Sequence, residues 1–125
     1  MFKRLLWVMN ITTETLFRML ADSTRQRILM LLQENGELCV CELTHALDLS
    51  QPKISRHLAH LRESALLLAQ RNGQWMYYHI NPALPDWAQL ILQQALAGNA
   101  GIAPYQQDQQ TLIAMPNRPG ATCCA

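Results

Sequence analysis

The sequence predicts a mainly α-helical chain that carries one β-hairpin, and three observations lead there. Apolar residues recur at helical spacing in segments before and after a central basic stretch. That stretch, residues 50–64 (SQPKISRHLAHLRES), reads as a capped amphipathic helix whose outer face is small and cationic. Beyond it, Asn72-Gly73 separates two runs of apolar, branched and aromatic residues, a strong hairpin signal because both residues accept positive φ.

The 125 residues suffice for one domain with a modest core, and half of them are hydrophobic, which excludes a disordered chain. Ten Lys and Arg against nine Asp and Glu give a net charge of +1, so total charge does not point to nucleic acid. The distribution does. Between residues 53 and 79 stand Lys53, Arg56, Arg62 and Arg71 against Glu63 alone, and His45, His57, His60 and His79 lie in or near that segment. No run approaches the roughly 20 apolar residues of a membrane span. The apolar run at residues 5–9 is short for a secretory signal and lacks a small-residue cleavage site after it. A cytoplasmic protein without a membrane partner is expected, starting at Met1 or Met9. Its cysteines are then free thiols, metal ligands or redox sensors.

In chain order, Thr12 or Thr13 caps a first helix in which Glu14 suits the dipole and Leu16, Phe17, Met19 and Leu20 form an apolar face. Asp22-Ser23 punctuates it. A second helix spans about residues 23–34, and Asn35-Gly36 ends it. Glu37-Leu38-Cys39 leads into a helix over about residues 40–47, and Asp48-Leu49-Ser50 turns into the basic helix. There, Ile54, Leu58 and Leu61 form the buried stripe, while Pro52, Lys53, Ser55, Arg56, Ala59 and His60 lie away from it. Two helices joined by a short turn, the second with a basic face, make a helix-turn-helix, and a following hairpin makes it a winged helix. The candidate DNA contacts are Gln51, Lys53, Ser55, Arg56, His57 and His60 on the helix and Arg71 at the hairpin tip, beside Asn72 and Gln74. A solvated surface helix and a core-closing hairpin explain either element alone, but not the basic tip beside the basic helix.

Pro82 and Pro85 set the start of a last helix, about residues 85–96, with Trp87, Leu90, Ile91 and Ala95 at helical spacing. So much apolar surface at both ends of a small chain predicts a dimer, which brings two reading helices to successive major grooves. Residues 1–97 are expected to form this winged helix-turn-helix and dimerisation domain. Residues 98–125, Gln-rich and broken by Gly and Pro, are expected to form a flexible tail ending in Cys123-Cys124.

Cys39-Val40-Cys41 stands where a loop becomes the first helix of the helix-turn-helix. In a regular helix, residues two apart point about 200° from each other, so sharing one ion requires an unwound or unformed first turn. Thiolate binding there would disturb an element one turn from the DNA reader. Buried cysteine as a small hydrophobe is the plain alternative. His45, four residues after Cys41, is an additional candidate ligand. The spacing makes no pair of C-x-x-C motifs, which argues against a structural zinc ribbon. No Gly-rich anion loop or nucleophile motif points to an enzyme.

With these residues in view, the chain resembles the ArsR/SmtB family of metal-responsive winged-helix repressors. The motifs are LADSTRQRILMLL (residues 20–32), GELCVCEL (36–43), LSQPKISRHLAHLRESALL (49–67) and NGQWMYYHINP (72–82). The second and third resemble the arsenical-resistance operon repressors in particular. The resemblance implies a homodimer bound to operator DNA, needing no cofactor. Trivalent arsenic or antimony would release it by binding Cys39 and Cys41. Such repressors often carry a third cysteine where this chain has Thr44. Cys123, Cys124 or a small cellular thiol would complete the site, or a methylated arsenical would need only two sulfurs. Relatives that sense cadmium, lead or zinc share the C-x-C stretch, and thiol oxidation is an alternative input. A zinc site on the last helix is not expected, because Asp86 has no histidine after it there.

Overall fold

The computed structural model describes residues 11–119; the N-terminal apolar run, the choice of starting Met and the Cys123-Cys124 pair lie outside them. The elements are α1 (Thr13–Leu20), α2 (Ser23–Asn35), β1 (Glu37–Cys39), α3 (Val40–Leu47), α4 (Gln51–Glu63), β2 (Leu67–Asn72), β3 (Trp75–Ile80), α5 (Asp86–Asn99) and α6 (Tyr105–Ile113). Among the described residues, no helix is long and apolar enough to cross a membrane.

The helix boundaries follow local chemistry. Side-chain oxygens of Thr12, Asp22 and Ser50 accept from the N–H groups of Thr15, Arg25 and Lys53 at 3.1, 3.1 and 3.4 Å, each satisfying a donor that the first turn leaves free. Pro52 follows in the first turn of α4, where a missing N–H costs little. Gly36 ends α2 at φ +88°. Asp48 takes the left-handed conformation, φ 55°, at the turn between α3 and α4.

The three strands pair antiparallel in the order β1-β3-β2. The hairpin forms where the sequence predicts it, with the turn one residue later. Asn72 pairs with Trp75, so the two-residue loop is Gly73-Gln74. Gly73 supplies positive φ (+67°) at the first loop position, which glycine adopts without strain. β1 was expected as a linker. Its three residues are too few to show a period, yet Glu37, Leu38 and Cys39 pair with His79, Tyr78 and Tyr77.

Ile28, Leu31, Leu32, Leu38, Leu43, Ile54, Leu58, Leu61, Leu66 and Leu67 form the fully buried centre of the core. Each such side chain contributes about 1.5–3 kcal/mol on leaving water. The recognition helix is thus seated by the stripe that its sequence shows. Phe17 on α1 and Trp87 and Leu90 on α5 stay exposed, at 54%, 39% and 54% of their free surface.

The expected flexible tail from Gly98 is corrected over residues 105–113, which form α6. This helix packs on α2 and α3. Leu112 is fully buried, and the rest of the docking is polar. Arg27 donates to both carboxylate oxygens of Asp108, at 2.9 and 2.7 Å, and this pairing raises the guanidinium pKa further. Asn35 and Gln109 exchange hydrogen bonds at 2.7 and 3.2 Å, and the Tyr105 hydroxyl donates to Gln26 Oε1 at 3.2 Å. A face that docks through Asp, Gln and Tyr leaves no hydrophobic period in the sequence.

Candidate nucleic-acid interface and thiol site

The outer face of α4 carries Gln51, Arg56 and His60 exposed and Lys53 and Ser55 half-buried. Gln51 Nε2 donates to Ser55 Oγ at 2.9 Å, one turn on. Arg71 is exposed at the next-to-last rung of the hairpin, opposite Met76. A helix of this kind presents short polar and cationic groups that fit base edges and phosphates, and the strand end presents one more cation.

His57 does not belong to that face. It stands three residues after Ile54 and four before Leu61, within the buried stripe, and is 8% exposed. Its Nδ1 lies 3.5 Å from Arg25 Nη1 and its Nε2 lies 4.0 Å from the Asp22 carboxylate. The i, i+3, i+4, i+7 series of Ile54, His57, Leu58 and Leu61 is the signal that would have placed it inside. Arg25 also ties down the end of α1, donating from Nε to the Met19 carbonyl (2.8 Å) and from Nη2 to that of Arg18 (3.0 Å).

Burial holds the His57 pKa below its usual value; Asp22 opposes the shift, while Arg25, Arg56 and Lys53 add to it. The folded chain therefore takes up this proton at lower pH than the unfolded chain. Between the unfolded pKa, about 6.5, and the lower folded value, acidification favours unfolding. The thermal midpoint is expected to fall on going from pH 7.5 to 5.5, and His57→Gln should flatten that dependence. An equally steep fall in the variant would assign it to other groups.

Cys39 is the last residue of β1 and the N-cap of α3, with extended backbone at φ −91° and ψ 168°. Cys41 is in the first turn. Because Cys39 precedes the helix, the two sulfurs converge while α3 stays intact, with Sγ–Sγ 2.7 Å. The unwound turn expected for a shared ligand is not needed. The Cys39 N–H donates to Glu42 Oε1 at 2.9 Å, and the Glu42 N–H returns a bond to Cys39 Sγ, a capping box with sulfur in place of a hydroxyl. Glu42 is 1% exposed, and its Oε2 accepts from Arg118 Nε. Their pairing leaves no mark in the sequence, because the two partners are 76 residues apart.

Burial, with the Cys41 contact next, pushes the Cys39 thiol up to about 12, so at neutral pH it is protonated. The two cysteines border a cleft of about 260 Å³, lined also by Val40, Thr44, Gln51, Trp75 and Met76. Recognition helix, wing and thiols thus share one space. The Thr44 hydroxyl donates to the Cys41 carbonyl at 2.9 Å. His45 is exposed, and among the described residues no three His, Cys, Asp or Glu side chains group to hold a metal ion. The cleft offers a soft ligand two sulfurs.

A winged helix-turn-helix with an exposed polar and cationic reading helix defines a DNA-binding transcriptional regulator. Residues 22–67 match the family described as "Bacterial regulatory protein, arsR family". The chain is 53% identical over 89 residues to the arsenic resistance transcriptional regulator ArsR1 of Pseudomonas putida, covering 71% of this chain and 70% of that protein. It is 59% identical over 80 residues to the arsenical resistance operon repressor of Escherichia coli, covering 64% and 68%. The crystal structure of the AntR antimony-specific transcriptional repressor superposes with a TM-score of 0.57 at 30% identity, covering 70% of this chain and 81% of that one. The chain belongs to the ArsR family of bacterial regulatory proteins.

Proposed function

We propose that this chain is a homodimeric repressor of an arsenic-resistance operon, released from its operator when trivalent arsenic or antimony binds Cys39 and Cys41. The observation that carries the reading is the convergence of the two sulfurs in a cleft shared with Gln51 of the recognition helix and with Trp75 and Met76 of the wing. The arsenic regulators and the antimony-specific repressor to which the chain is similar support the choice of ligand.

The protonated Cys39 thiol favours a metalloid hydroxide. Two thiols condense with As(OH)3 to give As(OH)(SR)2 and two waters, with no net release of protons. A divalent cation such as cadmium, lead or zinc must instead expel two protons, one of them from a group titrating at about 12. A bridging ion with bonds of about 2.3 Å to sulfur holds both thiols at one fixed spacing. Cys39 is paired to Tyr77 of the wing strand, and Cys41 stands on the helix that leads through Asp48 to α4. Fixing them shifts the two DNA-facing elements against each other, which gives the ligand the differential affinity that release requires.

In this reading, Gln51, Lys53, Ser55, Arg56 and His60 meet the major groove, and Arg71 meets the backbone or the minor groove. Phe17, Trp87 and Leu90 are covered by the second subunit. The location is cytoplasmic, where the thiols stay reduced. Cys123 or Cys124 supplies the third sulfur in place of Thr44. X-ray absorption at the arsenic edge tests this assignment. Three As–S bonds are expected in the full chain and two in Cys123→Ser/Cys124→Ser. Arsenic bound without sulfur would contradict the reading, and two bonds in both would remove only the tail ligand.

A further inference from the structure

We infer that residues 105–118 act as a clamp that holds α3, and with it the thiol pair, in the DNA-binding arrangement, with Arg118 and Asp108 as its positioning residues. The inference rests on the repressor reading above and adds an element outside the family match, which ends at residue 67.

The clamp meets one end of the eight-residue α3 directly and the other through Arg27 of α2. At the thiol end, Glu42 divides its carboxylate between the Cys39 N–H and the Arg118 guanidinium. At the other end, Arg27 Nη2 donates to the Leu47 carbonyl, the last residue of α3, at 3.2 Å while it holds Asp108 at 2.7 Å. The Leu47 bond lies directly before the turn into α4. Between these ties, α6 lies along α3 and buries Leu112.

Both acids are almost wholly buried, Glu42 at 1% and Asp108 at 3% exposed. Charges so placed are costly unless paired, and an apolar contact would dock α6 without that cost. What paired charges add is a fixed register between the segment and α3. A ligand that draws the Cys39 backbone along with its sulfur must break the N–H bond to Glu42 or draw Glu42 from Arg118. The clamp thus opposes the inducer. Its removal lowers the inducer concentration needed, without touching the sulfurs or the DNA-facing side chains.

The test is an arsenite titration of the full chain on fluorescently labelled upstream DNA, read by anisotropy, for wild type, Arg118→Ala and Asp108→Asn. Expected is a fall of at least fivefold in the half-releasing arsenite concentration, the lower end of usual allosteric couplings. Operator affinity without arsenite should stay within about twofold, because the DNA-binding arrangement remains the populated one until arsenite binds. Arg118→Lys, which keeps the charge but not the planar fork, should fall between. A merely structural role would lower the thermal midpoint and leave the arsenite midpoint unmoved; that result, or a raised midpoint, overturns the clamp. A wild-type chain that arsenite does not release overturns the repressor reading and the clamp together, whereas normal release with unaltered variants overturns the clamp alone.

Discussion

Replacing Cys39 or Cys41 by serine should abolish release by arsenite while operator affinity stays within about twofold of wild type, the change expected when no DNA-facing side chain is altered. The oxygen keeps the size and the polar character of the side chain but loses the soft donor that a trivalent metalloid selects. At position 39 the change also suits the fold, since serine is a preferred N-cap and the bond from the Glu42 N–H would then run to a hydroxyl. Loss of response therefore cannot be put down to a weakened helix, and the thermal midpoint should be equal or higher. Anisotropy titrations of each variant with arsenite decide the matter. Release that persists in both would move the sensor elsewhere, and loss of DNA binding in both would give the sulfurs a role in the DNA-bound form instead.

Arg56→Ala should weaken operator binding by about 1–3 kcal/mol, roughly 5- to 150-fold, if the guanidinium reaches a base edge. Arg56 is exposed near the middle of the outer face of α4, away from the buried Ile54, Leu58 and Leu61 stripe. Its loss should leave the thermal midpoint and arsenite binding unaltered. Lys53, near the N-terminal end, is suited to a phosphate. Its removal should weaken binding to all sequences alike and reduce the salt slope by about one. His57 differs: its substitution should act on stability and leave the slope alone, because its ring faces Asp22 and Arg25. Equal affinity of Arg56→Ala and wild type, measured at matched salt, would remove α4 as the reading element.

How far the sequence discloses this molecule depends on whether the controlling interaction is local. Ser50 with Pro52, the Ile54, Leu58, Leu61 stripe and Gly73 each act within a few residues, so α4 and the hairpin stand in the sequence as they stand in the fold. β1 is different: three residues become a strand only because β3 lies beside them. α6 docks through Asp108, Gln109 and Tyr105, whose partners Arg27, Asn35 and Gln26 are 74 to 81 residues away. No period in a Gln-rich segment reveals such pairings. At the thiol site, the C-x-C spacing was legible. That the sulfurs meet above an intact helix was not, because it depends on Cys39 standing one residue ahead of the first turn. His57 was misplaced by its chemistry, which suits DNA, although its spacing puts it in the core.

The central claim is that thiol ligation by a metalloid releases DNA. Its most direct test is one titration of the wild-type chain on a labelled copy of its own upstream DNA, with arsenite, antimonite, cadmium and peroxide added to separate samples. The account predicts tight, salt-dependent binding that arsenite or antimonite abolishes and that cadmium and peroxide leave in place. Release by cadmium or peroxide alone, or no binding to that DNA under any condition, would contradict it.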